Sequence, residues 1–178
     1  MTSRTDPGPV PATQAIQVAV VAALSATTML FASLSSALLV RRSFEDWRPA
    51  SAPWPLALLA LGALTSVAIE WVIRATSQRG LPKGAFALSS LAYLTAACGA
   101  IMATAANEGL AAPHNAFVAL LLSLHVLHAL AGSIFALWIL SDGPSAPSAN
   151  GRSSLARLVV HFLTALLAAI MMLLFVAS

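Results

Sequence analysis

Five apolar stretches run through this chain, each long enough to cross about 30 Å of hydrocarbon at about 20 residues per span. Of its 178 residues 59% are hydrophobic and only 8% charged, whereas a soluble domain carries about 25% charged residues. Inside a bilayer the backbone has no water to bond, so apolar runs of this length must satisfy their own N–H and C=O groups as helices. The sequence therefore predicts an all-α integral membrane bundle of five transmembrane helices. The spans use up the chain and leave no mass for a catalytic domain in water.

Charge and breaker clusters place the helices at about 14–40, 55–75, 85–106, 115–140 and 154–177. They form one domain over 14–178 after a tail, 1–13, in which Pro7, Pro9 and Pro11 delay the helix. The first apolar run exceeds the apolar core of a secretory signal and is read as a retained helix. Arg41, Arg42 and the polar stretch from Glu45 to Pro49 end the first helix. Arg79, Gly80, Pro82 and Lys83 separate the second from the third. Asn107, Glu108 and Gly109, followed by Pro113, make a short turn, so the third and fourth helices are expected as antiparallel neighbours. The longest connection is the Gly- and Pro-containing segment 141–153.

Sorting the loops by face puts Arg4, Arg74, Arg79, Lys83, Arg152 and Arg157 on the side of the N-terminus and Arg41, Arg42 and Arg48 on the other. The positive-inside rule then predicts the N-terminus inside and the C-terminus outside. Trp47 and Trp54 on one side, and Trp71 and Trp138 on the other, fall where indole rings prefer the headgroup level. The sequence pI near 10.0 is thus read as topology, with no nucleic-acid partner.

Ionisable groups within a span are costly and are functional candidates. Glu70 stands four residues before Arg74, the order and spacing of an ion pair on one helix face. His125 and His128 lie three apart on the fourth helix, and His161 lies early on the fifth. They are read either as buried imidazoles bonding between helices or, paired across two helices, as metal or haem ligands. Small residues along the first and third helices serve close packing. Cys98 has no second cysteine to pair with. No phosphate-binding glycine loop, nucleophile elbow, zinc-type cysteine pair or internal repeat is present in the sequence. A subunit that packs on a catalytic partner fits this pattern better than an enzyme or a carrier.

The segment Ser123 to Gly132, with His125, His128 and Gly132 in the spacing H-x-x-H-x-x-x-G, resembles the signature of subunit III of haem-copper cytochrome c oxidases. Met29 and Phe31, the Arg41 to Pro49 loop, Thr65 and Ser66, the acidic turn at Glu108, and His161 with Phe162 are similar to further regions of that family, in the family's order. The likeness covers nearly the whole chain and matches the family's five-helix bacterial form. Two departures stand out. The membrane carboxylate that the family places in this first helix falls at Thr27, which puts the proton-related role of that acid in doubt, and the family's Asp and Trp after the last histidine are replaced by Thr164 and Leu167.

The resemblance implies a non-catalytic subunit of a terminal oxidase in aerobic respiration. Such a subunit sits in a bacterial cytoplasmic membrane, packs on the oxidase subunits I and II, and holds phospholipid. It has no cofactor in the chain itself, since haem and copper belong to the partners, and a larger respiratory supercomplex is a further possible partner. Two alternatives stand beside it: a subunit III-like accessory protein of a nitric oxide reductase, and a haem b anchor of a quinone-linked enzyme using His161 with His125 or His128.

Overall fold

Each apolar run forms one helix: α1 (Ala12–Arg41), α2 (Trp54–Arg74), α3 (Gly80–Asn107), α4 (Pro113–Ser141) and α5 (Ala149–Val176). The computed structural model describes residues 12–44, 54–75, 80–107, 112–141 and 149–176, and contains no strand among them. All five helices are long and apolar enough to cross a membrane. Glu108, most of the tail and the loop carrying Trp47 and Arg48 lie outside the described residues.

Two helix starts differ from the sequence reading. α3 begins at Gly80 rather than near Ala85 and takes Pro82 into its first turn. The first four N–H groups of a helix have no partner within it, so a proline there sacrifices no hydrogen bond. The same reasoning lets α4 open on Pro113. α5 starts at Ala149, ahead of the expected Ser154, and carries Gly151 within its first turns.

Four helices close a ring, in which α2 packs on α3, α3 on α4, α4 on α5, and α5 back on α2. α1 lies outside it, seated on α5 and α4. Its exposure follows from this position: 11% of the α1 span is buried, against 28% to 39% of the others. Large apolar side chains point outward on every helix, among them Met29, Val67, Leu88, Leu127 and Met172. An outward apolar belt of this kind suits lipid rather than water.

The interior has two apolar cores. One gathers Phe31, Leu38, Leu58, Ala97, Leu121, Leu122, Leu167 and Ile170. The other gathers Ile69, Val72, Phe86, Ala136, Ile139, Leu155 and Ala156. Between them, near the middle of the spans, comes a layer holding Thr65, Ser90, Tyr93, His125, Ser133 and Thr164.

Glycines bring α5 into the ring. A Cβ at Gly62 of α2 would lie 2.8 Å from Leu167 Cδ2. One at Gly132 of α4 would collide with Leu163 Cδ1 and lie 3.1 Å from Val159 Cγ1. Gly99, by contrast, has nothing within 4 Å of its missing Cβ. We expect Gly132→Val to force α4 and α5 apart and to destabilise the bundle by about 1–3 kcal/mol, the usual cost of overpacking. Gly99→Val should leave the midpoint of thermal unfolding in detergent close to that of the parent. Equal effects of the two substitutions would contradict this packing.

Candidate functional site

Two groups of polar residues have chemistry to offer, one where α2 ends and α5 begins, the other at mid-span. At the first, the Glu70 carboxylate collects three cationic or potentially cationic neighbours. Arg157 Nε donates to Glu70 Oε1 at 2.7 Å, and His161 Nε2 donates to the same oxygen at 2.9 Å. Arg74 Nη2 stands 3.6 Å from Oε2, an ionic contact too long for a hydrogen bond. The pair read from the sequence is therefore present, but it is the longest of the three contacts. The Arg74 side chain is 79% exposed, whereas Glu70 is 23% exposed, so the contacts from α5 are the better shielded ones.

Helical spacing explains how α5 supplies two partners. Arg157 and His161 are four residues apart and share one face, and α2 and α5 are packed neighbours in the ring. One turn deeper, Ser66 and Thr164 hydroxyls meet at 2.7 Å. Thr164 also donates within reach of the Val160 carbonyl at 3.1 Å and the Gly62 carbonyl at 3.3 Å.

At mid-span the two histidines of α4 part company. His125 is 1% exposed and sits edge-on to Tyr93 of α3, with ring centroids 6.0 Å apart and planes at 88°. It lines a small chamber with Gly62, Thr65, Ser90, Tyr93 and Thr164. His128 Nδ1 donates to the Leu124 carbonyl at 2.7 Å and faces a different cavity, a cleft of about 420 Å³. That cleft is bounded by Ala23, Leu24 and Thr27 of α1, by Gly132, Phe135 and Trp138 of α4, and by Val159 and Leu163 of α5. Phe31 of α1 presses edge-on against both imidazoles, at 6.3 Å from His125 and 5.8 Å from His128.

Of the residues singled out in the sequence, Thr27, His128 and Gly132 converge on the cleft. His125 faces the chamber, and His161 lines neither cavity but binds Glu70. His161 thus lies apart from both α4 histidines in its contacts, and no group of three or more His, Cys, Asp or Glu side chains able to hold a metal occurs among the described residues. Thr27 is 7% exposed and donates to the Ala23 carbonyl at 2.8 Å, bonding within its own helix. Cys98 is exposed on the outer side of α3.

Sequence reading missed the roles of Arg157, Ser90 and Tyr93. Counting residues inward from each loop would have placed Arg157 and His161 at the depth of Glu70. Nothing in spacing alone marks Ser90 or Tyr93.

Double-mutant cycles test the cluster. Coupling between Glu70→Gln and Arg157→Gln is expected at about 1 kcal/mol or more, as for residues in direct contact. Coupling between Glu70→Gln and Arg74→Gln should stay near about 0.3–0.5 kcal/mol, as for an exposed pair on one helix. A larger coupling to Arg74 would refute the ranking. No protein-family profile, curated protein or solved structure matches the chain, so its own residues carry the functional reading.

Proposed function

We propose that this chain is a non-catalytic subunit of a terminal haem-copper oxidase, of the subunit III type, that packs on the catalytic subunit and holds lipid beside it. The observation that carries the reading is the convergence of Thr27, His128 and Gly132 on one apolar cleft between α1 and the α4–α5 pair. His128 and Gly132 belong to the motif that resembles the family, Thr27 stands where the family's carboxylate is replaced, and all three line a space of about 420 Å³ walled largely by aliphatic and aromatic side chains. Acyl chains fit such a lining through dispersion contacts, without hydrogen-bond demands.

Further support comes from how the polar groups are used. The Glu70 carboxylate is occupied by Arg157 and His161, and His128 Nδ1 by a backbone carbonyl. With His161 spent on Glu70, a haem held between it and an α4 histidine is the less favoured reading. In this reading the chain lies in a bacterial cytoplasmic membrane with its N-terminus inside. The Arg74, Arg157 and Lys83 side then faces the cytoplasm.

A tagged copy extracted in mild detergent should bring down a large haem-bearing subunit and a copper-binding subunit, and the preparation should consume oxygen. The chain expressed alone should show no haem band in a reduced-minus-oxidised spectrum. Recovery with a reductase that forms nitrous oxide, or a haem in the isolated chain, would overturn the proposal.

A further inference from the structure

The chamber beside His125 has a volume of about 30 Å³. Three buried polar atoms with no hydrogen-bond partner belong to residues that line it: Ser90 Oγ, Tyr93 Oη and His125 Nδ1. Their residues are 4%, 5% and 1% exposed. They come from two different helices, α3 and α4. The rings of Tyr93 and His125 meet edge to face, with centroids 6.0 Å apart.

A polar group buried without a partner is costly, and nearly all such groups in native proteins are satisfied by protein or by ordered water. Three orphans around one cavity share a single remedy. We propose that the chamber is a water-binding site at mid-membrane. In it an ordered water bridges Ser90 Oγ, Tyr93 Oη and His125 Nδ1, and it enters from the Glu70 side past Thr164.

Size and chemistry both select water. A buried site must offer about 10–15 Å³ to hold one water, whose share of the liquid is about 30 Å³, and such waters make about three hydrogen bonds. The chamber matches on volume and on partners. Beside aliphatic groups such as Val160, Leu163 and Leu167, its lining holds five hydroxyls and one imidazole and no carboxylate, lysine or arginine. A neutral molecule that both donates and accepts fits such a lining better than an ion does. Hydroxyls and a ring nitrogen can each adopt either role, so a water can orient among them.

The route follows from Thr164, which lines the chamber and whose hydroxyl meets Ser66 at 2.7 Å. Ser66 lies one turn before Glu70 on α2, and Thr164 lies about one turn after His161 on α5. Between the half-exposed cluster and the chamber the α2–α5 seam thus presents a hydroxyl pair. On the opposite side of the polar layer lies the apolar core of Leu121, Leu122, Leu167 and Ile170. The site is built from this chain's own bundle and does not depend on which partner the protein packs on.

The test uses the full chain in lipid nanodiscs, labelled at histidine, tyrosine and phenylalanine, with magnetisation transferred from water in solid-state NMR. The His125 and Tyr93 rings should receive signal from water at least threefold faster than the ring of Phe86, which is 0% exposed in the neighbouring apolar core. Thr164→Val should slow that transfer at least threefold. Transfer to His125 as slow as to Phe86 would overturn the site, and unchanged transfer in Thr164→Val would overturn the route. A second measurement separates a wet chamber from a dry one through the sign of a stability change. Removing a hydroxyl that binds water, by Tyr93→Phe or Ser90→Ala, should lower the thermal midpoint. In a dry chamber the same changes delete an orphan and should leave the midpoint unchanged or raise it.

Discussion

The architecture hangs on the close approach of α5 to its neighbours. In lipid there is little hydrophobic gain from bringing helices together, since acyl chains are as apolar as leucine, and association rests on dispersion packing and hydrogen bonds. Gly62 and Gly132 supply the room, because each lets a leucine of α5 occupy the space its own Cβ would fill. With α5 seated, the ring closes against α2, the Glu70 cluster forms, and α1 gains a surface to lean on. The glycine within the family-like motif therefore has a packing reason of its own, independent of any resemblance.

Most polar side chains in the spans fall into two energetic classes. Thr27, Thr65, Thr95 and Thr104 donate to the carbonyl one turn back on their own helix. Such hydroxyls are satisfied before any neighbour arrives and reveal little about function. Glu70, Ser66 and Thr164 are satisfied across the α2–α5 seam instead, and interhelical hydrogen bonds in membranes contribute on average about 0.6 kcal/mol each. Their joint effect lies as much in fixing rotation and depth of α5 against α2 as in stability. Ser90, Tyr93 and His125 belong to neither class, which is why the chamber stands apart from the rest of the polar layer.

Reading the sequence found the five spans because hydropathy is a local property, and length alone decides whether a run can cross the bilayer. It found the Glu70 and Arg74 contact for the same reason, as the two sit on one turn of one helix. The start of α3 is less legible because Gly80 and Pro82 are breakers within a helix, although a first turn accepts both. Contacts of Glu70 with Arg157 and His161 join residues on different helices, and no local pattern announces them. His125 and His128 lie three apart and share a helix face in broad terms. Their different surroundings come from other helices, Tyr93 of α3 beside His125 and Thr27 of α1 across the cleft from His128, which the spacing within α4 does not encode.

The closure of the ring between α2 and α5 has a further consequence for biogenesis. Ser66 and Thr164 are 98 residues apart in sequence, so the seam forms only after the final span of the five has left the translocon. Until then α2 waits in the bilayer with Glu70 lacking both of its α5 partners. Of the five helices α5 is therefore the one that completes the ring, and a ribosome stalled before it yields an open ring in which the Glu70 carboxylate lacks its α5 partners. Such a species displays to membrane quality control a carboxylate held only by the exposed Arg74 of its own helix.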